Sequence, residues 1–336
     1  MKVLNKLSIS LIAVLLATTF AGCDLMSKDD TKTNNGDTTT PMSEEVSVLD
    51  TTELLREGAE NLSKMESMSY DFTVKGDVKS AAEDDVTFDV SFSGESDSKD
   101  KEKPKFTLAI DGSGTGMGYT IASKAEIRLD DAVLYAKIAE LKGLEDVEDM
   151  PQEMLDMFLG KWWKFDIPEG SMDEFSTYIS EADEEEMTET EKEIKELMES
   201  TEFFSSATMI SSSDDTDVYE LVLDKENTIN FALEAEKIDY KEYTGSEMTE
   251  EKVAELKMEI EKQFEDLTVK TLQASYNKEF KVISGIKASF DVIYEEEGTA
   301  ALEISADFDN FNETVTIKAP SDATEFDPSI FMGAGM

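Results

Sequence analysis

Cys23 is the only cysteine among 336 residues, and its neighbours narrow what its thiol can do. It follows Phe20-Ala21-Gly22, which closes an apolar run over 7–20 interrupted only by Ser and Thr. Lys2 and Lys6 make the start positive. A positive start, an apolar stretch and small residues form a secretory signal, and cleavage between Gly22 and Cys23 would make the cysteine residue one of the mature chain. A spanning helix needs about 20 apolar residues, and this run is shorter.

Phe20-Ala21-Gly22-Cys23 resembles the bacterial lipoprotein signal, a lipobox of the form Leu-Ala-Gly-Cys whose cysteine is acylated; Phe20 replaces the usual aliphatic residue. The resemblance implies a diacylglycerol on the Cys23 thiol, with palmitate-type chains and often a third chain on the amine. Two or more chains make a stable anchor where one is marginal. An extracytoplasmic protein, lipid-anchored through Cys23 without crossing the bilayer, is therefore expected. In Gram-negative families an aspartate at the position of Asp24 resembles a signal for inner-membrane retention; in a Gram-positive cell it carries no meaning.

Histidine is absent. With the single thiol acylated, imidazole and thiolate catalysis fall away, as do the common zinc sites. Carboxylate chemistry, serine–lysine chemistry and calcium binding stay open. Gly112, Gly114, Gly116 and Gly118 stand between two strand patterns, whereas a phosphate cradle needs a helix after its glycines; a hairpin or bulge is the better reading. Asp214, Asp215 and Asp217 resemble part of a calcium loop but lack its central glycine and final glutamate. Acidic residues are too numerous for one pair to be singled out. No enzyme, no cofactor and no metal site is expected.

The formal charge is −46, and removal of residues 1–22 takes away only two lysines. Such a field argues against nucleic acid and against docking on anionic lipid. It favours solubility, cations or a basic protein partner. Only Arg56 and Arg128 are arginines, so bidentate anion clamps are scarce. Hydrophobic residues make up 40%, with 18 Phe, enough to pack a core. A monomer is expected.

The elements follow from periodicity. Residues 23–48 read as a flexible tether. A helix is expected over 50–68, capped by Thr51 or Thr52, with Leu54, Leu55, Ala59, Leu62 and Met65 along one stripe. Period-two alternation predicts strands around 70–75, 86–92, 106–110, 125–129 and 133–137, with one greasy and one wet face. A linker and short helix fill 140–160, with the helix around 151–158, and 161–168 is extended. An acidic helical stretch covers 171–200. A strand over 218–223 precedes helices near 228–238 and from a Thr249 cap onward. Four strands close the chain, at 267–276, 280–294, 299–311 and 313–318, with a turn at 294–298 between the middle two. Residues 331–336 form a loose tail.

This order of elements, the Trp162-Trp163-Lys-Phe-Asp-Ile-Pro168 segment and the closing Ile304 to Pro320 run resemble the lipoprotein-carrier superfamily of LolA and LolB and the related LppX and LprG type lipoproteins. The resemblance implies one α+β domain over 49–330: a curved antiparallel sheet, an incomplete barrel, covered by or wrapped around helices, with helical insertions near 171–200 and 226–266. It implies a cavity for a lipid or lipid-modified molecule. Candidate lining residues are Phe72, Phe88, Phe92, Phe106, Leu108, Trp162, Trp163, Phe290, Tyr294 and Phe308. The two tryptophans, adjacent in a strand, must point to opposite faces, one to the core and one to a rim. An enclosed lipid site needs roughly 300 Å³ or more. The alternative is an interaction or envelope-sensor lipoprotein with a filled core and an acidic binding surface.

Overall fold

The computed structural model describes residues 44–80, 85–100, 103–116, 118–143, 158–167, 188–294 and 298–326. Gly22, Cys23, Asp24, most of the tether, most of the helix expected near 151–158, the acidic stretch at 171–187, the turn at 295–297 and the tail lie outside those residues. The chain is α+β, and its thirteen described strands belong to an open, mixed sheet. It divides into two compact units. Described residues 44–64 and 188–294 form the first; 65–167 and 298–326 form the second.

The first unit begins with β1 (Glu44–Val46), so the end of the expected tether is already part of the fold. Helix α1 (Val48–Ser63) follows. Its cap is Ser47, whose Oγ accepts from the Asp50 amide at 3.3 Å, and not Thr51 or Thr52. Those two threonines lie inside the first turn and donate back to the Ser47 and Val48 carbonyls, each at 2.8 Å. The helix also stops earlier than its apolar stripe suggests, with Lys64 as C-cap.

Helix α2 (Glu189–Ser200) opens with a capping box in which Thr188 and Glu191 satisfy each other's amides. The box holds the Glu191 carboxyl below its usual range. Strands β8 (Phe204–Ser212), β9 (Thr216–Leu223), β10 (Leu267–Asn277) and β11 (Val282–Tyr294) join β1 in the order β1-β8-β9-β10-β11, all antiparallel. Between β9 and β10 run α3 (Lys225–Thr244) and α4 (Glu250–Glu265). The first is capped by Asp224 and ends at Gly245, where φ is +67°. The second is capped by Thr249 as its sequence predicts. Ile229, Leu233, Ile260 and Phe264 form the buried seam between them. Helix α1 packs on the sheet through Leu55, Gly58 and Ala59. A side chain at position 58 would meet the Ile283 amide at 3.0 Å and the Tyr276 ring at 3.1 Å, so glycine permits this close approach.

The second unit is a meander: β2 (Ser67–Ser80), β3 (Val86–Asp97), β4 (Lys105–Gly116), β5 (Tyr119–Asp130), β6 (Val133–Lys142) and β7 (Trp163–Asp166). Strand β12 (Gly298–Asp309) adds antiparallel to β2, and β13 (Thr324–Glu325) adds parallel to β7. The expected strand at 313–318 does not form. Asn310 and Asn312 adopt φ of +53° and +57° and turn the chain out of the ladder. Asn312 then accepts from the Glu66 amide at 2.9 Å, and the Glu313 carbonyl accepts from the Ser67 hydroxyl at 2.6 Å. These contacts also place Ser67 and Met68 in a strand and not at the end of a helix.

A half-covered apolar face on the second unit

Side chains alternate across a strand, so the register fixes which residues share a face. In the second unit one row runs Phe308, Tyr70, Gly94, Leu108, Ile127, Ala136, Trp163 across seven strands. The next runs Ala306, Phe72, Phe92, Ile110, Ala125. Phe88 lies in a row with Leu302, Gly76, Gly114 and Ile121, and Phe106 in a row with Ser96, Leu129, Leu134 and Phe165. Seven of the ten expected lining residues therefore share this face: Phe72, Phe88, Phe92, Phe106, Leu108, Trp163 and Phe308.

The other three lie elsewhere. Trp162 points to the opposite, polar face. Phe290 belongs to the first unit and is 2% exposed in its core. Tyr294 ends β11, and its side chain is outside the described atoms.

Burial separates the two units. In the first, Phe231, Phe264, Leu272, Ile283 and Phe290 are all buried. A cavity of about 50 Å³ under α1, lined by Leu55, Phe203, Phe204, Leu221, Leu272 and Ile286, is all that its pocket there leaves open. This volume is far short of a lipid site. In the second unit, Phe72, Phe88, Phe92, Phe106, Leu108 and Phe308 are each only half-buried. Leu129, at 0% exposure, marks where the face is sealed, and Tyr119 and Ile121 mark where it opens to solvent.

Glycines shape this surface. A side chain at Gly76 would run into the Phe88 ring, which lies over that glycine. Tyr70 reaches across β3 at Gly94, and its hydroxyl donates to the Thr107 carbonyl at 2.6 Å. Burial pushes the Tyr70 phenol above its usual pKa. The Phe72 and Phe92 rings meet in a tilted contact, 6.1 Å between centroids. At the far edge Trp163 meets Phe158 at 5.7 Å and Phe326 edge-on at 5.9 Å. The Trp163 indole N–H is buried with no acceptor among the described residues.

The opposite face is laced with ion pairs. Lys75 meets Asp89 at 2.8 Å, Lys105 meets Asp130 at 2.6 Å and Lys124 meets Asp111 at 2.5 Å. The hydrogen bond in each pair raises the lysine's pKa. Trp162, 7% exposed, lies beneath Arg128 at 4.7 Å and Lys137 at 5.6 Å. Glu126 bridges those two cations at 3.1 and 3.6 Å. This tryptophan is structural packing under a charge cluster.

The remaining motifs also find their places. Gly112, Gly114 and Gly116 lie in β4, and Gly118, at φ +78°, makes the turn into strand β5. No helix follows them, so no phosphate cradle forms. Among the described residues no group of three or more metal-ligating side chains converges. The Asp214–Asp217 loop holds an internal cation: the Lys278 ammonium reaches Asp217 at 2.7 Å, the Ser213 carbonyl at 2.6 Å and the Ser212 hydroxyl at 3.1 Å. Among the described residues no helix is long and apolar enough to cross a membrane.

Comparison with family models, with curated proteins and with solved structures finds no match to this chain.

Proposed function

We propose that this protein is an extracytoplasmic lipoprotein, anchored through Cys23, that binds an acyl chain of a lipid or lipid-modified molecule on the apolar face of its second unit. On this reading the face is the concave side of a LolA-like half-barrel. The observation that carries it is that Phe72, Phe88, Phe92, Phe106, Leu108 and Phe308 share one continuous face and are each only partly buried, whereas the large side chains of the first unit's core are buried. Contiguous apolar surface of this kind marks a binding site more often than it marks solvent. Each methylene brought onto it contributes about 0.8 kcal/mol. Eight methylenes give about 6 kcal/mol, against which the cost of association must be set. Binding then needs no catalytic group. Ligand access would be along the open sheet face and not through an enclosed chamber.

The test is native mass spectrometry of the mature chain purified without detergent, with a fluorescent fatty acid as second probe. Co-purified lipid, displaced by added fatty acid, supports the proposal. A bare mass and no uptake of the probe would refute it. That outcome would favour the second reading, an interaction or sensor lipoprotein whose acidic surface meets a basic partner; the filled core of the first unit supports that alternative.

A further inference from the structure

The ladder between β9 and β10 stops short. Its register runs from Asn277 opposite Thr216 to Gln273 opposite Glu220, and no pair joins Leu221–Leu223 to Leu267–Leu272. The outer edges of both segments are engaged. Leu221, Val222 and Leu223 pair with Ala207, Ser206 and Phe204 of β8, while Leu267, Val269 and Leu272 pair with Val292, Phe290 and Ala288 of β11. The main-chain groups that lack a ladder partner are therefore those facing the gap between β9 and β10.

The cause is the insertion between these strands. Leu223 and Leu267 both pack on the Ile229, Leu233, Ile260, Phe264 seam of the α3–α4 hairpin. The strand ends are held apart to feed the two helices.

A cavity of about 250 Å³ occupies the fork. Four consecutive residues of β9, Glu220 to Leu223, line it, as do consecutive residues of β10 up to Leu272. Successive side chains leave a strand on opposite faces. A space that touches every residue in turn must lie at the strand edge, in the plane of the sheet. Buried Phe264 also lines it, as do Lys225 and Lys270. Lys270 is held by Asp291 at 2.5 Å. Lys225 is exposed and has no ion-pair partner among the described residues.

We propose that this fork is a strand-accepting slot, which takes an extended peptide segment carrying a carboxylate. An open sheet edge is a template for another strand, and here two edges face one gap. An acyl chain would leave both main-chain rails without partners, which is costly where water is excluded. Val222, Leu223 and Val269 offer apolar contacts, and Lys225 offers charge complementarity in a chain that is otherwise strongly acidic.

The probe is a fluorescent acetyl-Val-Glu-Val-Thr-Val-amide peptide added to the intact mature protein. Hydrogen exchange at those amides of 221–223 and 269–271 that face the gap, and not β8 or β11, should be fast in the free protein and slow at least tenfold with peptide. The same peptide N-methylated at alternate amides should bind at least tenfold more weakly, because its donors are gone. Lys225→Glu should also weaken binding at least tenfold; an acid in the first turn suits the helix dipole, so folding is not at risk. Val222→Asp, at an exposed position, should act in the same direction. Gap-facing amides already protected in the free protein, equal binding of the N-methylated peptide, or protection produced by laurate in place of the peptide would each overturn the proposal. Lipid on the second unit would neither protect these amides nor depend on Lys225.

Discussion

The Tyr70 hydroxyl and the Thr107 carbonyl are joined at 2.6 Å across an intervening strand, in the space that Gly94 leaves open. A side chain at Gly94 would overlap the Thr107 carbonyl and crowd the phenol at 2.7 Å. Gly94→Ala should therefore cost at least about 2 kcal/mol in urea unfolding, because backbone would have to move. Tyr70→Phe removes only the hydrogen bond and should cost about 1 kcal/mol. Equal costs for the two would show that the glycine has no special place in the face.

Phe92 and Phe290 are both sheet phenylalanines, but only Phe290 is buried. Phe290→Ala should destabilise by about 3–5 kcal/mol, the usual cost of emptying a packed core. Phe92→Glu should cost less in stability yet abolish fatty-acid uptake, since it places a charge in the middle of the apolar face. Retained uptake by a folded Phe92→Glu protein would place the acyl chain elsewhere.

Lys278 holds the β8–β9 loop closed on Asp217. Lys278→Met leaves the Asp217 carboxylate, which is mostly shielded, with only the Ser212 hydroxyl as partner. We expect a loss of about 1–3 kcal/mol, the range for removing a hydrogen bond between charged groups at a partly exposed site. Adding Asp217→Asn should recover part of it, and a double-mutant cycle followed by thermal unfolding measures the coupling.

Tyr276 is buried, and desolvation, with lesser repulsion from Glu57, pushes its phenol up to about 12. The unfolded chain releases that proton near the ordinary phenol value of 10.0, so above it the unfolded state holds fewer protons than the fold. This contribution to stability is complete below pH 10 and is lost as the pH climbs toward 12. Urea midpoints should fall between pH 10 and 12, and Tyr276→Phe should flatten that fall. On α3, burial and the nearby Asp239 and Glu259 raise the Glu236 carboxyl, so its effect runs the same way at lower pH. Stability should decline as the pH rises through that carboxyl's titration, and Glu236→Gln should remove this part of the slope.

Cys23 is the test of the anchor. An alkyne fatty acid fed to expressing cells should label the wild-type chain and not Cys23→Ser, and globomycin should halt its processing. Labelling of the Cys23→Ser chain, or processing indifferent to globomycin, would refute lipidation at this residue.

Much of this molecule is local in origin. The alternation of Phe72, Val74, Phe88, Val90 and Phe92 with polar neighbours is enough to define strands and assign their greasy side, because side-chain direction depends only on position along the strand. The Thr249 cap is equally local. Strand β8 was not legible, since Ser-Ser-Ala-Thr-Met-Ile-Ser-Ser alternates weakly; pairing with β1 and β9 makes it a strand. The early end of α1 and the missing strand at 313–318 share one cause, the contacts of Glu66 and Ser67 with Asn312 and Glu313 some 246 residues away. Nor could adjacency say which of Trp162 and Trp163 would be core; neighbours distant in sequence, Arg128 over one and Phe326 beside the other, decided it. The sequence thus determined which residues are apolar and on which side of each strand they stand. Whether that side is packed shut, as around Phe290, or left half-open, as around Phe92, was decided only by tertiary structure, because burial belongs to what arrives opposite a residue and not to the residue itself.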